Sequence, residues 1–281
     1  MGLPMATNLI KAQHELIVYN RTRSRAEELR PLGAKVTQSP SEASSSVEAL
    51  ITMLSDDRAV EDVVFTAGAI DSLPAGAVHV SMSTISVALS RRLVQAHGEK
   101  GQHYVAATVF GRPDAAAAAK LFVVTAGQSG QIELCRPIFD AIGQKTFIVG
   151  EQAPAANVVK LAGNFLITAV IESLAEAFAL VRKNGLDPNA FLEVLTGSLF
   201  TAPVYRTYGS IIASDKFEPP GFKLPLGFKD NRLLVAAAEE SSVPMPMASL
   251  VHDRFLAALA QGLGESDWAA IARISYKNAG L

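Results

Sequence analysis

Met1-Gly2-Leu3-Pro4-Met5-Ala6, an amphipathic run to Lys11, the short apolar segment Glu15-Leu16-Ile17-Val18-Tyr19 and then Asn20-Arg21-Thr22 form the stretch that decides the fold. Glycine at a helix start followed by a strand reads as the second half of a dinucleotide fingerprint. In the full motif a strand precedes G-x-G-x-x-G, whose first glycine makes a tight turn and whose second lets backbone approach a pyrophosphate. Gly2 fits the third, which permits close helix–strand packing. The first strand and first two glycines are absent from these 281 residues. Met1, Gly2, Leu3 and Pro4 are candidate cofactor-binding positions, but the case for a cofactor rests on residues further along the chain.

The residues that end the next strand discriminate between cofactors. An acidic side chain there accepts from a ribose 2′-hydroxyl, whereas arginine accommodates a 2′-phosphate. Here the strand ends in Asn20-Arg21-Thr22, with Arg23 and Arg25 close behind and no carboxylate to repel a dianion. NADPH is expected over NADH. The other reading of the three arginines is an ordinary solvated helix start.

A chain of 281 residues with 49% apolar residues and a net charge of −2 is expected to form two domains with substantial cores. No basic excess points to nucleic acid. The one cysteine, Cys135, cannot form an internal disulfide, no secretory pattern is present, and a cytoplasmic location is expected. The longest apolar stretches are interrupted by Asn164, Glu172 and Glu176, so no membrane span of about 20 residues is expected. The five histidines are scattered in sequence without metal-ligand spacing, and no metal site is expected.

To about residue 150, short apolar runs alternate with helical patterns, the signature of a mostly parallel sheet with helices on both faces. Expected strands are 15–19, 34–36, 49–54, 78–82, 103–107, 121–126 and 145–149; expected helices are 24–32, 57–65, 87–98 and 130–142. Beyond Gly150 the strands stop. A helix over about 155–183 is apolar on nearly every face, which predicts burial between domains or subunits, and helices continue at about 189–196, 204–213, 229–240, 247–262 and 267–275. The expected architecture is an α/β, Rossmann-type doubly wound domain over 1–152 and an all-α domain over 153–281, with a long interdomain helix.

Lys160 and Asn164 lie four apart on that helix and so share a face otherwise made of Leu, Val and Ala. A lysine there is expected to lose hydration and shift toward the range useful in proton transfer, about 7–8. Reduction of a carbonyl by a nicotinamide needs a proton for the oxygen, which such a lysine can donate while Asn164 holds the substrate oxygen or the lysine. In isolation, K-x-x-x-N is also met by a snorkelling lysine beside a capping asparagine. Ser83 and Thr84 come after the 78–82 strand, where doubly wound sheets bind ligands; hydroxyls before a helix also serve as N-caps, the expected role of Ser86. Phe110-Gly111-Arg112 come after the next strand, with a glycine for close approach and an arginine for an acidic substrate, or form an uninvolved loop. Phe228-Lys229-Asp230 place a cation and a carboxylate at an expected helix start, where Asp230 would complement the helix dipole.

The order of these elements resembles the β-hydroxyacid dehydrogenase family, the group of 3-hydroxyisobutyrate dehydrogenase and tartronate semialdehyde (glyoxylate) reductase. The resemblance covers essentially the whole chain through Met1-Gly2-x-Pro4-Met5, Asn20-Arg21-Thr22, Met53-Leu54, Ser83-Thr84, Gly111, Lys160-x-x-x-Asn164, Phe228-Lys229-Asp230 and Gly262-x-Gly-Glu-x-Asp267. It implies Lys160 as catalytic acid/base with Asn164 orienting substrate. It further implies Ser83 on the substrate carboxylate, Met53, Leu54, Ser55 and Thr84 lining NADP, Phe228 and Lys229 closing over the cofactor, and a homodimer or homotetramer built on the long helix. The implied reaction interconverts a small β-hydroxyacid and its aldehyde or ketone. Imine reductases share the fold but commonly lack the lysine, and a non-catalytic NADP-binding scaffold would have no need of it.

Two departures bear on the substrate. Ser81 stands where the family usually has Asp, and Ala-Thr-Val-Phe110-Gly111-Arg112 replaces Ala-Pro-Val-Ser-Gly-Gly. Phe110 in place of a substrate-contacting Ser implies a bulkier, less polar pocket. The absent first strand is central in this fold, and its loss would expose inner sheet edges at a cost beyond a domain stability of about 5–15 kcal/mol. A biological chain about a dozen residues longer is therefore expected, or else an altered sheet.

Overall fold

The computed structural model describes all 281 residues. Seven strands form in the first half: β1 (Ile17–Val18), β2 (Lys35–Val36), β3 (Ala49–Thr52), β4 (Val78–Ser81), β5 (His103–Phe110), β6 (Leu121–Ala126) and β7 (Gly143–Ile148). β1 and β2 pair in parallel with each other alone, while the remaining five form one sheet in the order β3-β4-β5-β6-β7. Pairing in that sheet is parallel except between β5 and β6.

Period-two alternation gives the larger sheet two apolar faces. Val78, Val80, Val105, Ala107, Val109, Leu121 and Val123 pack with Met5 and Leu9 of the Gly2–Lys11 helix and with Phe139 and Ile142. The opposite face sets Tyr104, Ala106, Val124 and Ala126 against Leu89 and Leu93 of the Val87–Glu99 helix and against Ala153 and Ala156. A sheet covered by helices on both faces is the doubly wound arrangement. All later elements are helical, around a separate core that includes Phe178, Tyr208, Ile212, Phe255 and Trp268.

The chain divides into two compact units, Met1–Lys160 and Leu161–Leu281. The division falls inside the Pro154–Lys183 helix, later than the 152/153 boundary read from sequence. That helix ends as expected at Asn184-Gly185, with Gly185 at φ +72°.

Several helices differ from expectation for local reasons. The 24–32 segment is a helix over Arg23–Glu27 and a 3-10 turn over Arg30–Leu32 that ends at Gly33, φ +105°. The 130–142 segment breaks at Cys135 into Ser129–Leu134 and Arg136–Ile142, because Pro137 has no N–H to continue the ladder. The helix expected to start at Lys229 starts at Leu224, with Pro225 in its first turn, where a fixed φ is favourable. Lys229 and Asp230 therefore sit in its second turn and not at its N-terminus. In the single chain the long helix keeps apolar side chains at its surface: Leu166 is 63% and Leu180 67% exposed. By length and hydropathy alone it could cross a membrane, since the interrupting polar residues leave an 18-residue window of mean hydropathy 1.6, half of it buried inside the protein.

Candidate active site

In the first unit the expected cofactor positions follow β1, β3 and β4, with Gly2 beside Met53 and Arg25 near the Met1 amine. Met1 caps the Gly2–Lys11 helix, whose first N–H groups suit an anion. A Cβ on Gly2 would stand 3.8 Å from Met53 Cβ, an ordinary contact. The packing seen therefore does not require the glycine, in contrast to the close approach expected. At the end of β1, Asn20 Oδ1 accepts from Thr22 N–H at 2.9 Å, which turns the chain. Asn20, Arg21, Thr22, Arg23 and Arg25 are all exposed. Glu27 takes up Arg23 at 3.0 Å and Arg30 at 2.6 Å. Hydrogen bonding to Arg30 foremost, together with Arg23, holds its carboxyl at about 2. Arg23 is thereby committed to a carboxylate, and Arg21 and Arg25 are the better candidates for a phosphate.

The turn after β3 carries Met53, Leu54 and Ser55, and the turn after β4 carries Ser83 and Thr84. The two are joined: Ser83 Oγ accepts from Leu54 N–H at 2.8 Å and donates to Thr52 O at 3.4 Å. Ser83 is wholly buried, so its hydroxyl is turned inward and does not present itself to a substrate as expected; Thr84 is half-buried. Ser86 caps the following helix through Leu89 N–H at 3.0 Å, as read from sequence.

Lys160 and Phe110 meet within the same unit. Lys160 Nζ lies 4.3 Å from the Phe110 ring centroid, and the ring quadrupole attracts the ammonium. The expected aliphatic wall is thus, at the charged end, an aromatic face. Thr108 Oγ1 donates to Ala156 O at 3.2 Å, fastening β5 to the turn that precedes Lys160. Asn157, one turn before Lys160, is 1% exposed, and neither end of its amide has a hydrogen-bond partner. The sequence does not single it out, because an Asn inside an apolar helix gives no periodic signal. Gly111 has φ +140°, and a Cβ there would lie 2.6 Å from Leu121 Cδ2 and 3.3 Å from Ala115 Cβ, so only glycine fits. Arg112 is the N-cap of an unforeseen helix, Pro113–Ala117. Phe110 also lines an open apolar groove of about 500 Å³ with Phe122, Val124, Phe147, Val149 and Val159.

In the second unit Asn164 Nδ2 donates to Asp230 Oδ2 at 2.6 Å, and Lys229 Nζ pairs with Asp230 Oδ1 at 2.8 Å. Asp230 is 3% exposed. It is not a dipole-complementing surface acid, as sequence suggested, but the hinge of a buried polar trio. Phe228 packs beside His252, with ring centroids 5.0 Å apart. Asp267, from the late Gly-x-Gly-Glu-x-Asp run, accepts from Gly221, Phe222 and Ala269 N–H. It holds a loop.

A sheet wound on both faces, a helix N-terminus beside exposed arginines and a lysine over the end of β5 define a two-unit NAD(P)-binding oxidoreductase. Residues 1–150 match the NAD-binding domain of 6-phosphogluconate dehydrogenase, and residues 154–275 match the NAD-binding segment of NADP-dependent 3-hydroxyisobutyrate dehydrogenase. The chain belongs to the β-hydroxyacid dehydrogenase family. It is 44% identical over 272 residues to the uncharacterized oxidoreductase YfjR of Bacillus subtilis, covering 96% of this chain and 95% of that one. It is 32% identical to glyoxylate/succinic semialdehyde reductase 1 of Arabidopsis thaliana, covering 96% and 93%. A structure of Mycobacterium tuberculosis 3-hydroxyisobutyrate dehydrogenase with L-serine superposes with a TM-score of 0.87 at 26% identity, covering 98% and 95%. The protein is an oxidoreductase of the class that acts on CH–OH groups, with a small-molecule substrate.

Proposed function

We propose that this protein is an NADPH-preferring reductase of a small aldehyde or keto acid, reversible as a β-hydroxyacid dehydrogenase, with Lys160 as general acid. The observation that carries this reading is Lys160 Nζ held over the Phe110 ring at the end of β5. The residues present fit the cofactor: the Gly2–Lys11 helix offers N–H groups to a pyrophosphate, and exposed Arg21 and Arg25 offer guanidiniums to a 2′-phosphate. When bound, the cofactor supplies hydride chemistry. Lys160 holds its proton at Nζ and delivers it to the carbonyl oxygen; in the reverse direction Nζ takes the hydroxyl proton. Asp230 accepts from one N–H of the Asn164 amide and so fixes how that amide is turned. With Ser83 turned inward, Arg112 is the better anchor for a substrate carboxylate, and Ser83 serves to hold the Leu54 turn. Phe110 and its apolar groove favour a substrate with some apolar bulk.

Homodimer or homotetramer formation is part of the same reading, supported by exposed Val158, Leu166 and Leu180 on the long helix. Light scattering showing a monomer at micromolar concentration would remove it. Cytoplasmic location is likewise proposed, in keeping with a single cysteine whose thiol burial pushes up to about 12.

The deciding test is NADPH oxidation with glyoxylate, succinate semialdehyde and bulkier keto acids, then the same assay on Lys160→Ala. That variant is expected to turn over about 100-fold more slowly or worse, the scale of a general acid, while binding NADPH normally. Near-normal turnover would take Lys160 out of the mechanism. Arg21→Glu is expected to lower the NADPH:NADH preference about tenfold, the equivalent of about 1.4 kcal/mol.

A further inference from the structure

Between the Val87–Glu99 helix and β4 lies a buried row of side chains that takes no part in the chemistry of Lys160. Gln102 Nε2 donates to Ile70 O at 2.9 Å and Leu73 O at 2.6 Å. Gln102 Oε1 then faces His97 Nδ1 at 2.8 Å, His97 Nε2 faces His79 Nδ1 at 2.8 Å, and His79 Nε2 faces Thr52 Oγ1 at 2.9 Å. His79 and His97 are both wholly buried.

Elementary valence settles the direction of this row. Both amide protons of Gln102 are used on carbonyls, so Oε1 can only accept and His97 must carry its proton on Nδ1. In a neutral ring, His97 Nε2 then has a lone pair, and His79 must donate to it from Nδ1. His79 Nε2 is left as an acceptor, and the Thr52 hydroxyl donates to it. No carboxylate touches either ring. Tyr104 from β5 meets His79 edge-on at 5.3 Å and stacks on His97 at 5.8 Å, Ser81 and Ser90 lie beside the Tyr104 hydroxyl, and the acid that acts on the cluster is Asp57, through Tyr104. Adding one proton to His97 at Nε2 would leave its bond to Gln102 as it is, reverse the two bonds beyond it and turn Thr52 from donor into acceptor.

Thr52 is where the row reaches function. Its carbonyl accepts from Met82 N–H at 2.9 Å and from Ser83 Oγ, whose oxygen holds Leu54 N–H. We propose that Gln102, His97 and His79 are positioning residues: a one-directional relay of two neutral imidazoles that locks Thr52 and thereby sets the Met53–Leu54 turn for the cofactor. This rests on the assignment of that turn to the cofactor, which the tests separate from the relay itself.

Two-bond ¹H–¹⁵N spectra of the full chain, taken from pH 6.5 to 8.0, are expected to show both rings neutral, protonated on Nδ1 and not titrating. A proton on Nε2 of either ring, or an imidazolium, overturns the relay. Thr52→Val keeps the shape and removes the hydroxyl. In that variant amide exchange at Leu54 is expected to accelerate at least tenfold, and the Kd for NADPH, read by fluorescence without turnover, to rise about tenfold. Unchanged exchange at Leu54 overturns the positioning role even in a well-folded variant. Faster exchange with unchanged NADPH affinity upholds the lock and overturns the assignment of the turn to the cofactor.

Discussion

Asp230, 3% exposed, takes a hydrogen bond from Asn164 at 2.6 Å and pairs with Lys229 at 2.8 Å. Beside Lys229 in a Pro/Gly-punctuated segment it reads as a helix-start acid; buried against Asn164 Nδ2 and Lys229 Nζ, it orients two residues of the candidate site. Removing one partner of a buried charge network leaves the others unsatisfied. Because Lys229 keeps 21% side-chain exposure, Asp230→Ala is expected to cost about 2–3 kcal/mol in urea unfolding, below the full cost of an uncompensated buried charge. A loss under about 0.5 kcal/mol, the range of an ordinary surface substitution, would show that Asp230 is not a hinge. Gly111→Ala has a different cause. It forces φ +140° on a residue with a Cβ and drives that Cβ against Leu121, for an expected loss of about 1–3 kcal/mol on a thermal melt. Lys160 and Asn164 were legible in sequence because helical spacing puts them on one face. Asp230 was not, since its partner lies 66 positions away.

At the scale of elements, β4 and the Val87–Glu99 helix bring His79 and His97 together, and burial foremost, then mutual charge, pushes His79 well below the ordinary histidine value of 6.5. Burial likewise lowers His97, against a hydrogen bond to Gln102 that raises it. Below 6.5 the unfolded chain takes up protons that the native rings refuse, so stability is full above that pH and falls as pH drops beneath it. Each ring contributes up to about 1.4 kcal/mol per pH unit until its native value is reached. Urea unfolding at pH 7.5, 6.5 and 5.5 is expected to show little change over the first interval and a loss of about 1–3 kcal/mol over the second. Equal stability at pH 6.5 and 5.5 would contradict two neutral buried rings. In sequence these two histidines are merely scattered members of a set of five. Spacing along the chain says nothing of two residues that a β4-to-helix crossover folds face to face. The helix break at Pro137 was local chemistry available to be read, and the periodic apolar pattern masked it.

For the molecule as a whole, the two units have separate apolar cores, and the cofactor positions Gly2, Arg21 and Leu54 all belong to the first. NADP⁺ at 100 times its Kd is expected to stabilise the protein by about 2.7 kcal/mol, since it binds the native state alone. Calorimetry with and without NADP⁺ checks this, and an unmoved transition would count against cofactor binding by this chain. The class of fold was readable because period-two apolar runs, period-3.6 helices and their alternation are properties of neighbouring residues, and so are the glycine at a helix start and the arginines after a strand. The separation of the β1-β2 ribbon from the five-stranded sheet, the inward turn of Ser83, the ring beneath Lys160 and the relay behind Thr52 were decided by tertiary structure. Each depends on which distant side chain fills the space beside a residue, and burial makes that neighbour, more than the residue's own type, set its chemistry.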